Sequence, residues 1–251
     1  MKLENKIAIV TGGSGGIGEA ICYAYAKEGA FVIVVNKNNP ENGILVANKI
    51  KADGGLAESI CCDITNPSEV NELVQKIIKD HGRIDILVNN AGALVFKNIE
   101  DHTLDEWDSV VNVNLKSAYL LLHAIVPHMK KHSYGKIIFI SSLAAIRGLS
   151  GASAYAASKG GILALAKSMV AELASFNINV NLITPGFTAT SMNQELRNDP
   201  DFMQQIKAPP SGHKLMQPKE LTGAAVFLAS EDASCVHGVD LIVDGGVAAV
   251  Q

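Results

Sequence analysis

The stretch Lys6-Ile7-Ala8-Ile9-Val10-Thr11-Gly12-Gly13-Ser14-Gly15-Gly16-Ile17-Gly18 decides the fold. Its apolar run, Ile7–Val10, has the length and composition of a strand buried on both faces of a parallel sheet. An amphipathic helical pattern follows from Glu19 to Glu28 and stops at Gly29. Strand, glycine loop and helix in this order form the setting that a dinucleotide fingerprint needs. Glycine permits the tight turn and lets backbone approach a pyrophosphate, and the free N–H groups at the helix start hold that anion. Two registers fit: Gly13-x-Gly15-x-x-Gly18, and Gly12-x-x-x-Gly16-x-Gly18 preceded by Thr11.

Outward from this loop, apolar runs alternate with helical patterns, the signature of a parallel sheet with crossover helices. The expected strands are Ile7–Val10, Phe31–Val35, Ala57–Cys61, Ile86–Val88, Lys136–Ile140, Asn179–Ile183 and Asp240–Val243. Asn66-Pro67-Ser68-Glu69 reads as a helix start with a capping Asn and Pro at the first position. Thr103-Leu104-Asp105-Glu106 is a capping box opening a long helix toward Lys131, which Pro127 should bend or shorten. The expected fold is α/β: one Rossmann-type domain over residues 1–251, a doubly wound seven-stranded parallel sheet with helices on both faces.

Composition agrees. The chain has 251 residues, 48% of them hydrophobic and 18% charged, which suits a large core covered on both sides. A net charge of −4 gives no electrostatic case for nucleic acid or an anionic membrane. The start, Met1 to Lys6, lacks a signal-like apolar core, and no run of about 18 apolar residues is present. A cytoplasmic protein is the expectation. Cys22, Cys61, Cys62 and Cys235 form no Cys-x-x-Cys and read as small apolar residues in a reducing compartment. The seven histidines show no ligand spacing, so no metal is expected.

The chemistry points to Tyr155 and Lys159, four apart in Ser-Ala-Tyr-Ala-Ala-Ser-Lys. On a helix that spacing stacks phenol and ammonium on one face. A cation beside a phenol favours phenolate and should pull its pKa below about 10. A phenol tuned in this way can exchange a proton with an alcohol or a carbonyl.

Together, Thr11-Gly12-x-x-x-Gly16-Ile17-Gly18, Asp63, Asn89-Asn90-Ala91-Gly92, Asn114, Ser142, Tyr155-x-x-x-Lys159 and Pro185-Gly186 resemble the classical short-chain dehydrogenase/reductase family from Lys6 to about Gly246. The resemblance favours the Gly12, Gly16, Gly18 register. It implies a catalytic set of Asn114, Ser142, Tyr155 and Lys159. Tyr155 would transfer the proton. Ser142 would hold the substrate oxygen, and Asn114 would bind a water linking Lys159 to solvent. Lys159 would also bond the nicotinamide ribose. The implied cofactor set adds Gly12, Ser14, Gly15, Gly16, Ile17 and Gly18 at the loop, Asp63 and Ile64 at the adenine, and Asn90, Ala91 and Gly92 at the adenosine wall. Pro185, Gly186, Thr188 and Thr190 complete it around the nicotinamide, Thr188 through its backbone.

After the second strand, where an acidic residue would accept from a ribose 2′-hydroxyl, the chain reads Asn36-Lys37-Asn38-Asn39. Neutral Asn36 and basic Lys37 favour NADP(H) over NAD(H), although Gly15 stands where many NADP members carry Arg. Residues 188–217 form a variable lid with Met192, Leu196, Phe202, Met203, Ile206, Pro209, Pro210, His213 and Met216. Ala144, Ile146, Arg147 and Leu149 are candidates for the opposite wall. The general look is similar to 3-oxoacyl-acyl-carrier-protein reductases and to gluconate and glucose dehydrogenases. The expected activity interconverts a small-molecule ketone or β-keto group and a secondary alcohol. The alternatives are an NAD-preferring sugar or polyol dehydrogenase and a non-catalytic nucleotide-binding regulator. Helices at Thr103–Lys131 and Ala152–Ser175, apolar around much of their circumference, suggest burial on more than one side, and the resemblance implies a homotetramer.

Overall fold

The computed structural model of the protein describes residues 1–37, 40–207 and 215–250. Asn38, Asn39, Pro209, Pro210, His213 and the Ile206 side chain, named above, lie outside the described residues.

In chain order the elements are β1 (Ile7–Thr11), α1 (Gly16–Lys27), β2 (Phe31–Asn36), α2 (Pro40–Ala52), β3 (Leu56–Cys61), α3 (Pro67–His81) and β4 (Ile86–Asn89). Then come α4 (Leu104–Val111), α5 (Ser117–His132), β5 (Gly135–Ile140), α6 (Ser153–Leu173) and β6 (Ile178–Pro185). The chain closes with α7 (Gln194–Arg197), α8 (Pro200–Lys207), α9 (Thr222–Ala229), β7 (Asp240–Val243) and α10 (Val247–Val250). All seven strands are parallel, in the order β3-β2-β1-β4-β5-β6-β7. Each expected strand is present, most of them one or two residues longer than the apolar runs indicated.

Strand alternation divides the core into two layers. Ala8, Val10, Val32, Val34 and Ile138 pack with Ile21, Tyr25 and Leu228 on the face covered by α1, α2 and α9. Ile9, Ile33, Leu87, Ile137 and Phe139 pack with Leu73, Leu121 and Ile162 on the face covered by α3, α5 and α6. Tyr25, fully buried, satisfies its hydroxyl on the Ala225 carbonyl at 3.0 Å.

Both expected helix starts are seen. Asn66 Oδ1 accepts from Ser68 N with Pro67 at the first position, and Thr103 and Glu106 close a reciprocal capping box. Pro127 does not shorten its helix as expected: α5 continues to His132. The irregularity falls earlier, where Asn112–Lys116 is a π-helical turn joining α4 to α5. Such single π turns concentrate at functional positions, and this one carries Asn114. The continuous helical span Leu104–His132 is long and apolar enough to cross a membrane, with a mean hydropathy of 1.3 over its most apolar window. Here its apolar face packs into the sheet layer through Leu121, Leu122, Ile125 and Met129. Two cysteine expectations need correction. Cys22 and Cys62 are buried, but Cys61 and Cys235 are exposed, because Cys61 ends an edge strand and Cys235 lies between α9 and β7.

Candidate active site

The sheet order reverses between β1 and β4, and the loops leaving the C-terminal ends of those strands face each other across the switch point, where open α/β sheets bind ligands. Thr11 and Asn90 join them. Thr11 Oγ1 accepts from the Asn90 and Ala91 amides at 3.0 and 3.1 Å, and Asn90 Nδ2 donates to the Thr11 carbonyl at 2.8 Å. The Asn89-Asn90-Ala91-Gly92 motif therefore braces the glycine loop from below.

The loop's conformation favours the second register. Gly12 and Gly16 have φ of +64° and +57°, in the region that favours glycine. A Cβ on Gly18 would collide with the Gly12 carbonyl and the Asn90 amide. Gly15 is extended, and a Cβ there would meet nothing within 4 Å. The first turn of α1 has no side-chain cap, so its orphan amides remain available to an anion. A cleft of about 1420 Å³ opens over this loop. That exceeds the usual span for a single small ligand, roughly 300–1,000 Å³, and leaves room for a dinucleotide and a substrate together. The residues present therefore fit a nicotinamide dinucleotide.

Most expected site residues line this one cleft: Gly12, Ser14, Gly15, Gly16 and Ile17; Asn90, Ala91 and Gly92; Ser142, Tyr155 and Lys159; Pro185, Gly186, Thr188 and Thr190. Gly18 is buried beneath the loop. Thr190 reaches the loop directly, its Cγ2 lying 3.1 Å from where a Gly16 Cβ would stand. Thr188 turns its hydroxyl to the Gly186 carbonyl and offers its own carbonyl to Asn193 Nδ2 at 2.7 Å.

Ser142 leaves the end of β5 in extended conformation and caps the following turn by accepting from Ala144 N at 3.1 Å. Its neighbour Ser141 is buried, and its hydroxyl has no partner among the described residues. Tyr155 and Lys159 sit one turn apart at the start of α6. Lys159 is 4% exposed, and its Nζ donates to the Ile140 carbonyl at 2.8 Å while lying 5.7 Å from the centre of the Tyr155 ring. Burial lowers this ammonium to about 8.

The phenol departs from expectation. Burial raises the Tyr155 pKa, and a hydrogen bond from Ser142 pulls the other way without overcoming it. The expected lowering by Lys159 is not among the causes acting on the phenol; the ammonium donates to the Ile140 carbonyl instead.

Asn114 lies behind the cleft and is 2% exposed. Its Oδ1 accepts from Ala93 N at 2.7 Å, and its Nδ2 donates to the Ala93 carbonyl at 3.0 Å and to Ser158 Oγ at 2.9 Å. The π turn brings this amide to the strap after β4, and Ser158 adjoins Lys159.

Besides Gly18, four expected cofactor residues do not line the cleft. Asn36 is buried, donates to Ser59 Oγ at 3.1 Å and packs on Gly43, where a Cβ would collide with it. Ile64 belongs to the core layer of α3. Lys37 is exposed, and its ammonium is bound to Asp63 at 2.6 Å. Burial raises the Asp63 carboxyl, but hydrogen bonds from Lys37 and Thr65 outweigh it and hold the group below its ordinary value. Sequence reading named Phe202 in the lid but missed the two rings that join it in a wall. Phe202 meets Phe96 edge-on with centroids 5.8 Å apart and Phe187 at 5.5 Å, and all three line the cleft. Phe96 and Phe187 carry no motif; their only signal is a position just past β4 and β6.

A parallel sheet with a glycine loop at its switch point and Ser142, Tyr155 and Lys159 at the same edge defines a class of dinucleotide-dependent oxidoreductases. Comparison with known proteins supplies the family. The short chain dehydrogenase profile matches residues 6–201. The cyclopentanol dehydrogenase of Comamonas sp. (strain NCIMB 9872) is 37% identical over 248 residues, covering 99% of each chain. A 3-oxoacyl-[acyl-carrier-protein] reductase of Thermotoga maritima is 36% identical over 98% of this chain and 99% of its own. The crystal structure of a gluconate 5-dehydrogenase from Burkholderia cenocepacia J2315, in complex with NADP and tartrate, superposes with a TM-score of 0.95 at 32% identity, covering 100% of this chain and 98% of that one. The chain belongs to the short-chain dehydrogenase family and is an oxidoreductase acting on CH–OH donors.

Proposed function

We propose that the protein interconverts a ketone and a secondary alcohol, with Tyr155 as general acid/base and NADP(H) as the preferred cofactor. The observation that carries this is the grouping of Ser142, Tyr155 and buried Lys159 in the cleft beside the open glycine loop. When bound in this cleft, a nicotinamide cofactor would supply or accept the hydride. The chain's own groups handle the proton and the charge. The raised pKa keeps Tyr155 protonated at neutral pH, so the phenol is ready to give its proton to a carbonyl oxygen as that oxygen gains charge. Ser142, hydrogen-bonded to the phenol, steadies the same oxygen and then the phenolate. Lys159, charged below about 8 and one turn from Tyr155, would hold a ribose hydroxyl of the cofactor. In alcohol oxidation the proton travels the other way, from substrate hydroxyl to Tyr155.

Preference for NADP(H) rests on Lys37 and on the lack of an acidic residue at the end of β2. The NADP bound to the Burkholderia relative supports it. One observation favours the alternative, an NAD-preferring sugar or polyol dehydrogenase: Asp63 already holds the Lys37 ammonium and would compete with a 2′-phosphate. Neither the −4 net charge nor the cleft suits nucleic acid. A cytoplasmic homotetramer completes the proposal, supported by the exposed apolar side chains Leu104 and Tyr119 on the long helix.

The test is a fluorescence titration with NADPH and NADH, followed by turnover of a panel of ketones, β-ketoesters and sugars. Tighter NADPH and consumption of a keto compound are expected. Tighter NADH would overturn the cofactor assignment, and binding of neither would overturn the enzymatic one.

A further inference from the structure

Among the described residues, the substrate half of the cleft combines an aromatic wall with lid side chains bonded to one another, beside the buried Ser141 hydroxyl, which has no partner. Phe202 stands between Phe96 and Phe187. Each ring is held by local structure. Asp199 Oδ1 accepts from the Asp201 and Phe202 amides at 2.9 and 3.2 Å, which fixes Phe202 in the first turn of α8. Gly151, at φ +77°, lies so close to Phe96 that a Cβ would stand 3.1 Å from its ring. Lys97 N donates to the Gly151 carbonyl at 2.8 Å, which fastens the Phe96 strap to the segment leading into Tyr155.

Two neighbouring polar side chains, Arg197 and Asn193, are bound within the lid. Arg197 donates to Asn193 Oδ1 and to the Thr190 carbonyl, both at 3.0 Å. Asn193 donates to the Thr188 carbonyl and accepts from Thr190 N. Arg147, across the cleft, is likewise engaged. A polyhydroxylated substrate needs several convergent donors and acceptors, and a site that lacks them leaves its hydroxyls desolvated and unpaired.

We propose that this site selects a secondary alcohol or ketone with an apolar alicyclic or branched aliphatic body, held against Phe202, and rejects polyols of the same carbon skeleton. The inference rests on the reading above, in which Tyr155 marks the position of the reacting oxygen.

The experiment compares kcat/KM for matched pairs, cyclohexanol with myo-inositol and 2-hexanol with glucitol, using NADP⁺ and NAD⁺. The apolar member should exceed its polyol at least about a hundredfold, and each added ring methylene should raise kcat/KM about fourfold until the pocket is full. Phe202→Ala should lower kcat/KM for cyclohexanol about 10- to 100-fold, mainly through KM, and Phe202→Leu should restore most of it. Equal turnover of inositol or glucitol would overturn the proposal, as would a Phe202→Ala variant with an unchanged KM for cyclohexanol. A binding arm separates the two ideas. Cyclohexanone is titrated into Tyr155→Phe protein loaded with reduced cofactor, read by cofactor fluorescence. Saturable binding that Phe202→Ala weakens supports the aromatic wall even if wild-type turnover is absent, which would then count against Tyr155 alone. Absence of saturable cyclohexanone binding overturns the wall.

Discussion

Gly15→Arg probes the cofactor site where the structure leaves most room. Gly15 is extended, with φ −175° and ψ 168°, a conformation open to any residue. A Cβ there meets nothing within 4 Å, so the substitution introduces no collision. Removing a glycine whose conformation is compatible stabilises by about 0.4–1 kcal/mol. A cation ahead of α1 opposes the helix dipole by about 0.3–1 kcal/mol. The two offset, and the Tm should move by no more than about 4 °C. Binding should respond far more. A unit charge about 4 Å from a phosphate oxygen contributes about 1 kcal/mol in water and about 4 kcal/mol near a protein surface. Taking about 1–2 kcal/mol for so exposed a position, NADPH should bind roughly 5- to 30-fold tighter while NADH changes less than about twofold. The assay is a fluorescence titration of both cofactors at low salt and at 1 M salt, where a Debye length of about 3 Å should erase most of the gain. Gly18→Ala is the control: its Cβ collides with the Gly12 carbonyl and the Asn90 amide, so it should lower Tm and weaken both cofactors. Equal gains for NADPH and NADH, or a gain that survives 1 M salt, would refute a 2′-phosphate beside Gly15.

Asp63→Asn frees the Lys37 ammonium from its 2.6 Å partner. Exposed pairs contribute under about 1 kcal/mol, so NADPH should tighten by about two- to fivefold and Lys37→Ala should reverse the gain, both read by titration. Asn114→Ala leaves the Ala93 amide and carbonyl and the Ser158 hydroxyl without the partner they share. A loss of about 2–3 kcal/mol is expected in urea unfolding, and a loss under about 0.5 kcal/mol would contradict the bracing role. Lys159 is charged below about 8 in the folded chain, against 10.5 ordinarily. Between those values the unfolded chain binds more protons, so this residue makes stability rise with pH through that window. Lys159→Met should lose that rise. The urea midpoint of wild type relative to the variant should grow between pH 7.5 and 9.5, and a constant difference would argue against a buried cation.

Much of the architecture could be read in the sequence because it rests on short-range patterns. Buried parallel strands are largely apolar runs, continuous at Ile7–Val10, Phe31–Val35 and Ile86–Val88 and interrupted by polar residues at Ala57–Cys61 and Asn179–Ile183. The glycine loop was legible but its residues fitted two registers; the family resemblance favoured the second, and positive φ at Gly12 and Gly16 agrees with it. The Tyr155 and Lys159 spacing gave their shared helix face but not the partner of the ammonium. That partner is the Ile140 carbonyl at the end of another strand, a contact set by tertiary packing. The same limit applies to Lys37. Its basic character was plain, but its pairing with Asp63, 26 residues away, depends on β2 and β3 being neighbours. Asn36 looked like a cofactor residue by position, yet the final β2 side chain turns inward toward Ser59. Of the Phe96, Phe187 and Phe202 wall, only Phe202 was read, as a lid residue, because the rings come from three separate segments. Pro127 does not shorten the helix, because a proline removes one hydrogen bond and the packing of α5 against α3 and the sheet outweighs that loss.

The central claim is that Tyr155 moves the proton, and Tyr155→Phe tests it most directly. The substitution removes one hydroxyl and keeps the ring, so NADPH and NADH affinities should stay within about threefold of wild type. Turnover of the best ketone from the panel should fall at least about a thousandfold. Cofactor affinity unchanged with turnover lost is the result this account predicts. Turnover within tenfold of wild type would contradict it and place the acid/base on another group.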